Sequence, residues 1–415
     1  MLLIISAGIV GFLLFLFSIN GSAKTITVDD DGGGDYVTIQ DAIENATDGD
    51  TVRVFEGVYE ENIEINIAIN LIGNGSSFST IHGSESGPIV KIDNDWIHLT
   101  GFTISGSENV SKGIIVNSNN VTISHNSISS HTGIALNHAH DNSIFDNTFL
   151  DCEDTAIILE NSIGNTIRNN QFQNTTHGIE ISSSDSTRIS GNVLKDIEDG
   201  IDVQHSVNVV VLDNEISGAE QNGISIRYCD QAGVRNNTCI NSTIGLEIKE
   251  GANNHIDSNQ LGSNSQAGIF ILDSIDNRIM NNTITSNYAG IEIYNNMELS
   301  VGGNRIHYNW IVNNSHYGIY FWGENIEDID ARHNWWGDET GPQPGTLYPQ
   351  GGGEENYGTI YVDPWLKSDD EIYSDADERN EEDDEGHDIE SLYLPIFVLL
   401  LLVGVLFILV ITLSK

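Results

Sequence analysis

From Asn126 onward the apolar positions return on a beat of 21 to 23 residues. Each return has the same local shape: an apolar residue, an asparagine three places later, and a second apolar residue two places beyond. Ile144 to Phe149, Ile167 to Phe172 and Ile279 to Ile284 all carry it. The asparagines fall at 126, 147, 170, 192, 214, 237, 259, 282 and 304. A second marker runs in phase, a small residue followed by an apolar-x-apolar triplet: Gly178 opens Ile179-Glu180-Ile181 and Gly200 opens Ile201-Asp202-Val203. Alternation with period two is the pattern of a strand with one face in and one face out. A repeat of this length predicts a solenoid of short strands and tight turns, with equivalent strands pairing in parallel. The fold class expected is all-β, a parallel β-helix, and its connections should be right-handed.

The asparagine has a physical task in such a stack. Side-chain amides repeated at one turn hydrogen-bond up and down the axis. The residue before it is often Asp, Asn or Gly (Asp146, Asn169, Gly191, Asp213), the types that tolerate a left-handed backbone. The column is therefore read as scaffold. Before the regular beat, Ile39, Ala42, Ile43 and Ala46 lie at helical spacing within Thr38–Thr47, which predicts an amphipathic helix capping the open end. Less regular strands are expected near Val52–Val54, Ile63–Ile65, Ile69–Ile72, Ile89–Ile92 and Ile97–Ile104.

Charge changes the picture next. Acidic residues outnumber basic ones 61 to 16 in 415 residues, a formal charge of -45. Such a field repels nucleic acid backbones, whose binding needs cations to displace counterions, so no nucleic-acid partner is expected; it suits a solvated surface and cation binding. Both ends are apolar. Residues 1–23 read as a secretory signal cut after Ala23, or, uncleaved, as an anchor. Residues 392–413 hold an uncharged run long enough to span a bilayer, leaving 414–415 as a cytoplasmic tail. Residues 367–391 are dominated by Asp and Glu and read as a disordered stalk. The organisation expected is a cap and first irregular coils over 24–110, regular coils and a C-terminal cap over 111–366, then stalk and anchor: a single-pass cell-membrane protein with its ectodomain outside. Cys152, Cys229 and Cys239 are odd in number and lack CxxC spacing, so neither a full disulfide set nor a zinc motif is expected. Asn-x-Ser/Thr sequons such as Asn45 and Asn174 allow glycosylation.

Tyr36-Val37-Thr38-Ile39-Gln40-Asp41-Ala42-Ile43, followed by Gly49-Asp50-Thr51-Val52-Arg53-Val54, resembles the opening of right-handed parallel β-helix proteins of the pectin-lyase-like superfamily. The Asn and Gly-Ile repeats resemble the NosD-type β-helix domain, and His333-Asn334-Trp335-Trp336-Gly337 is similar to the last coil of such proteins. The resemblance covers about residues 25 to 366. It implies the fold, and it carries a copper-handling association that three methionines support poorly.

Candidate chemistry follows from the coil phase. Two places past each small residue stand Ala135, Ile158, Glu180, Asp202, Ser225, Glu247, Phe270, Glu292 and Tyr320; two further stand Asn137, Glu160, Ser182, Gln204, Arg227, Lys249, Leu272, Tyr294 and Trp322. Stacked coils place equivalents about 4.8 Å apart. The strip predicts a groove for an extended glycan. Phe270, Glu292, Tyr294, Tyr320 and Trp322 are the carbohydrate-binding candidates. Glu180, Asp202, Arg227 and Glu247 are the weaker catalytic candidates for a polysaccharide lyase or hydrolase. Neighbouring carboxylates can also take Ca²⁺. Only Asp199-Gly200-Ile201-Asp202 echoes the polygalacturonase motif set. His138 and His140, two apart and expected on one strand face, are candidates for Cu²⁺ or Zn²⁺. The leading function is a surface-anchored binding or structural module for polysaccharide or envelope glycan, its partner a polysaccharide or glycoprotein surface, with catalysis and metal handling as rivals.

Overall fold

The computed structural model describes residues 23–83, 86–106, 112–295, 302–323, 329–343 and 352–368. The expected signal, anchor and tail, and all of the stalk beyond Ser368, lie outside the described residues. No helix among the described residues is long and apolar enough to cross a membrane.

Among the described residues the coils stack into three parallel sheets of 15, 12 and 13 strands, called A, B and C. Each regular coil gives one short strand to each sheet. In the coil around Asn192 these are Arg188–Ser190 in A, Val193–Ile197 in B and Asp199–Gln204 in C. The alternation explains the core. Ile189, Leu194, Ile201 and Val203 point inward, all at most 1% exposed, while their neighbours face out. Strand pairs repeat without slippage, as Ile179↔Ile201 and Ile201↔Ile224 show, because slipping by one residue would turn every isoleucine to water.

The asparagine column is continuous and buried. The Asn170 backbone N–H and side-chain Nδ2 both donate to Asn192 Oδ1, at 2.9 and 3.1 Å. Asn192 repeats this to Asn214 and also donates to the carbonyl of Ile167 at 3.1 Å. The residue before each rung is left-handed, as expected: Asp146, Asn169, Gly191 and Asp213 have φ of 54, 55, 65 and 56°.

Three expectations are corrected here. Asn304 does not continue the column; Asn282 donates to Asn309 instead, and Asn309 to Asn334. The coil between these rungs is longer than its predecessors, so counting 22 residues lands one turn early. Asn304 belongs to a second buried column, below Asn254 and Asn277. Ile97–Ile104 is not one strand: His98–Thr100 lies in sheet A and Thr103–Gly106 in sheet B, with Gly101 at φ 83° turning the corner between them. The segment Thr38–Thr47 forms only a six-residue helix, Ile39–Glu44. Its N-terminal N–H groups are held by the Glu61 carboxylate at 2.8 and 3.0 Å, and Ile39, Ala42 and Ile43 are buried. At under two turns it is an edge contact and not the covering element expected.

The three cysteines are free and buried. Burial pushes the Cys152 and Cys229 thiols up to about 11, so they are small core residues. Trp336, at 1% exposed, is also core.

Candidate glycan-binding face

Sheet C carries the strip that the coil phase predicts. Its register aligns Ala135, Ile158, Glu180, Asp202, Ser225, Glu247, Phe270, Glu292 and Tyr320 in one outward column. A second column beside it runs from Asn137 and Glu160 through Gln204, Arg227 and Lys249 to Tyr294 and Trp322. All nine catalytic and carbohydrate candidates therefore share one face.

The face is zoned along the axis. Its N-terminal part holds a hollow of about 350 Å³ lined by Lys91, Lys112, Ile115, Ala135 and Asn137. Lys91 is held by Asp93 at 2.5 Å and Glu64 at 3.0 Å, and those hydrogen bonds raise its pKa.

The middle zone is ionic. Arg227 embraces the Asp202 carboxylate with two nitrogens, Nε to Oδ1 at 3.0 Å and Nη2 to Oδ2. Gln204 donates to Asp202 Oδ2 at 2.7 Å, and Ser225 donates to Glu247 Oε2 at 2.7 Å. Burial pulls the Arg227 pKa down, but the hydrogen bonds and charge of Asp202 outweigh it and the net shift is upward. A further outward column, three places before the first, adds His177 and Asp199. His177 lies between carboxylates, Nδ1 3.6 Å from Glu180 and Nε2 3.8 Å from Asp199. Burial raises the pKa of Glu180; the charge of His177 opposes this and that of Asp202 adds to it. Burial likewise raises Asp199 against a backbone hydrogen bond from Asn222. The zone thus sets proton-retaining acids beside an arginine-bound carboxylate.

The C-terminal zone is aromatic. Ring centroids lie 5.4 Å apart for Phe270–Tyr294, 5.9 Å for Tyr294–Tyr320 and 6.3 Å for Tyr294–Trp322. Tyr317 and Tyr357 extend the patch, 5.3 and 5.0 Å from Tyr320. Trp322 is 52% exposed, so a flat face is open to a ligand. Glu292 is 7% exposed within this zone; burial raises its pKa although Gln266 donates to it at 2.9 Å.

Reading outward positions only after the small residue missed His177, Tyr317 and Tyr357. His177 and Tyr317 directly precede Gly178 and Gly318, the phase at which Asp199 was noticed, so the signal existed. Tyr357 comes from a two-residue strand, Asn356–Tyr357, outside the regular beat, and carried none.

His138 and His140 are not on a strand. The strand ends at Asn137, and His138 is left-handed at φ 54°, so the alternation argument does not apply. His138 Nδ1 sits 2.6 Å from Asn137 Oδ1, and His140 Nδ1 accepts the Ile163 N–H at 3.0 Å. His125 and His131 are engaged elsewhere, with Asp146 and Glu153. Among the described residues, the group of three or more His, Cys, Asp or Glu close enough to share an ion is Asp29, Asp30 and Asp31. That is an all-oxygen set of the kind hard cations take, and it does not fit copper.

Comparison with known proteins agrees with this architecture. Residues 175–329 match the family described as periplasmic copper-binding protein (NosD), and residues 67–211 match the right handed beta helix region. A cell surface glycoprotein of Methanothermus fervidus is 36% identical over 121 residues, 28% of this chain. The match spans only 20% of that relative's length. Among solved structures, the A-module of the Azotobacter vinelandii mannuronan C-5 epimerase AlgE6 superposes with TM-score 0.59 at 16% identity, covering 79% of this chain and 94% of its own. A mannuronic acid specific polysaccharide family 6 lyase from human gut microbiota gives 0.56 at 14% identity, covering 75% and 87%. At such identities the likeness is one of fold.

Proposed function

We propose that this parallel β-helix, whose coils match the NosD and right handed beta helix models over parts of the chain, is a cell-surface module whose sheet C face binds polysaccharide or envelope glycan. The observation that carries this is the zoning of one continuous wall: cations and a hollow at one end, an ionic middle, open aromatic rings at the other. Sugar rings stack on aromatic faces, and aromatics of this size supply most of a wall's binding area. The similarity to a cell surface glycoprotein supports an extracellular setting, and the apolar run 392–413 supplies an anchor.

Glycan-array binding by the full chain tests this. Retention after Glu180→Gln and Asp202→Asn, with at least tenfold weaker binding after Tyr294→Ala and Trp322→Ala, is the expected result. Unchanged binding in the aromatic variants sinks it.

A second reading, polysaccharide cleavage, draws on one specific observation: Glu180 keeps its proton more tightly than an ordinary glutamate and stacks directly above arginine-bound Asp202. A general acid needs a raised pKa. Reducing ends or unsaturated products released from acidic polysaccharides, and lost in Glu180→Gln, would establish it. The copper association of the NosD description meets no matching donor set among the described residues.

A further inference from the structure

The outward face of sheet A differs from the rest of the molecule in sign. Its strands present Arg53, Arg168, Arg188, Arg235, Arg278 and Arg305, six of the 16 cations in the whole chain, and no lysine. Against them its described strands present two outward acids, Asp257 and Asp330. In a chain with 61 acidic residues that is a reversal.

Relief of local repulsion does not account for it. Among the described residues, Arg188, Arg235 and Arg305 pair with no carboxylate. The two acids on the face are satisfied by others. Asp330 accepts two hydrogen bonds from Arg332 at 2.8 Å and lies 2.9 Å from His307; Asp257 accepts from Asn281 and Ser258, both at 2.8 Å. Three guanidinium groups are left open to solvent, each with donors arranged for a planar anion.

The register turns these arginines into a ladder. Arg168 and Arg235 share one outward column, and Arg188, Arg278 and Arg305 share the neighbouring one with His255. Six coil steps separate the rungs of Arg168 and Arg305 in register, roughly 29 Å at one strand spacing per step.

A second, independent feature lies on the same face, on the N-terminal side of Arg168. A hollow of about 460 Å³ is walled by Trp96, His125 and Phe145. Its floor is a hydrogen-bonded set: His98 Nε2 is 3.2 Å from Ser124 Oγ, which donates to Thr100 Oγ1 at 3.3 Å. No carboxylate lines it. Trp96 is 71% exposed and held at φ 63°, a backbone conformation that is costly for a bulky residue. The hollow joins the ladder directly, because the Arg168 guanidinium lies 4.0 Å over the Phe145 ring.

We propose that sheet A is a second binding face, distinct from sheet C, that takes an extended anionic polysaccharide. The tryptophan wall and hydroxyl floor seat a pyranose ring. The arginines meet carboxylates or sulfates repeated along the chain. A flat membrane would not enter the hollow, and an isolated anion would not need the ladder. The net charge of the protein does not forbid this, since at 0.15 M salt fields decay over about 8 Å and a polymer responds to the face it touches. The proposal does not rest on the sheet C reading.

The test measures retention of the full chain at fixed salt on sodium polygalacturonate, on dextran sulfate, on uncharged dextran and on phosphatidylglycerol vesicles. Binding to at least one polyanion and none to dextran is expected. The triple variant Arg188→Gln, Arg235→Gln, Arg305→Gln should weaken it at least tenfold, and Trp96→Ala severalfold. A cation outside both faces is the control: Lys195→Gln on sheet B should stay within threefold of the parent. Far-UV circular dichroism confirms that each variant is folded; all three arginines are exposed, so none is needed for the core. The proposal is overturned if neither polyanion is retained, if the arginine triple binds within twofold of the parent, or if vesicles are retained in place of the polysaccharides.

Discussion

The buried asparagine column and the outward columns of sheet C are built from the same coils, yet they obey opposite rules. Inside, the residue is the same at every rung from Asn126 to Asn334. Outside, it changes at almost every rung: Ile158, Glu180, Asp202, Ser225, Glu247, Phe270. The reason is solvation. A buried rung must accept from the coil before it and donate to the coil after it, and a primary amide of one particular length does both. An outward rung can satisfy itself with water, so stacking fixes its position but not its chemistry. Repetition therefore marks scaffold, and the candidate sites lie where the repeat keeps its register and loses its residue.

The sharpest way to break this comparison is one truncation on each side of it. Asn192→Ala removes an oxygen that accepts two hydrogen bonds from Asn170 and an amide that donates to Ile167 and Asn214. The groups left behind are fully buried, at about 1–3 kcal/mol for each one unsatisfied, so a loss of about 3–5 kcal/mol is expected in urea unfolding at pH 7. Glu180→Ala, on the outward column of sheet C, should change stability by under about 1 kcal/mol. Equal losses in the two variants would erase the distinction.

That contrast also explains what was legible beforehand. The stacked coils, the left-handed residues before each asparagine and the two sheet C columns followed from the period alone, because the core enforces one register on both faces. Asn304 was misplaced because a longer coil keeps the local motif while breaking the count. The strand placement of His138 and His140 fails because the strand ends at Asn137, one and three residues before them. The arginines of sheet A were in plain view, two or four places before successive ladder asparagines, as with Arg168 and Arg188 before Asn170 and Asn192. They escaped notice because a net charge of -45 makes every cation look like neutralisation until the partners are counted.

A smaller effect sharpens the outward side. Asp202→Asn keeps the shape and one acceptor for Gln204 but deletes the charge that Arg227 grips. The Arg227 side chain is 35% exposed and Asp202 11%, so water and salt screen much of the pair. A loss of about 1 kcal/mol is expected at low ionic strength, shrinking as salt is added. A loss as large as that of Asn192→Ala would mean that the ionic zone is part of the scaffold.

The smallest expected effect has the opposite sign. Burial raises the pKa of Glu292 above its ordinary 4.5, so the folded chain holds this proton more tightly than the unfolded chain does. Below its unfolded pKa the group is protonated in both states and contributes no difference. As pH rises through the unfolded and then the raised folded value, the charged form must be kept in a place that disfavours it, and stability falls. Glu292→Gln removes that charge and keeps an oxygen to accept from Gln266. The variant should therefore melt slightly above the parent at pH 7, by less than the Asp202→Asn effect, and the two melting curves should converge near pH 4. A gap that widens toward acid would show that Glu292 is stabilised as a carboxylate. The aromatic zone would then be built around a charge, and an outward rung would be as strictly specified as a buried one.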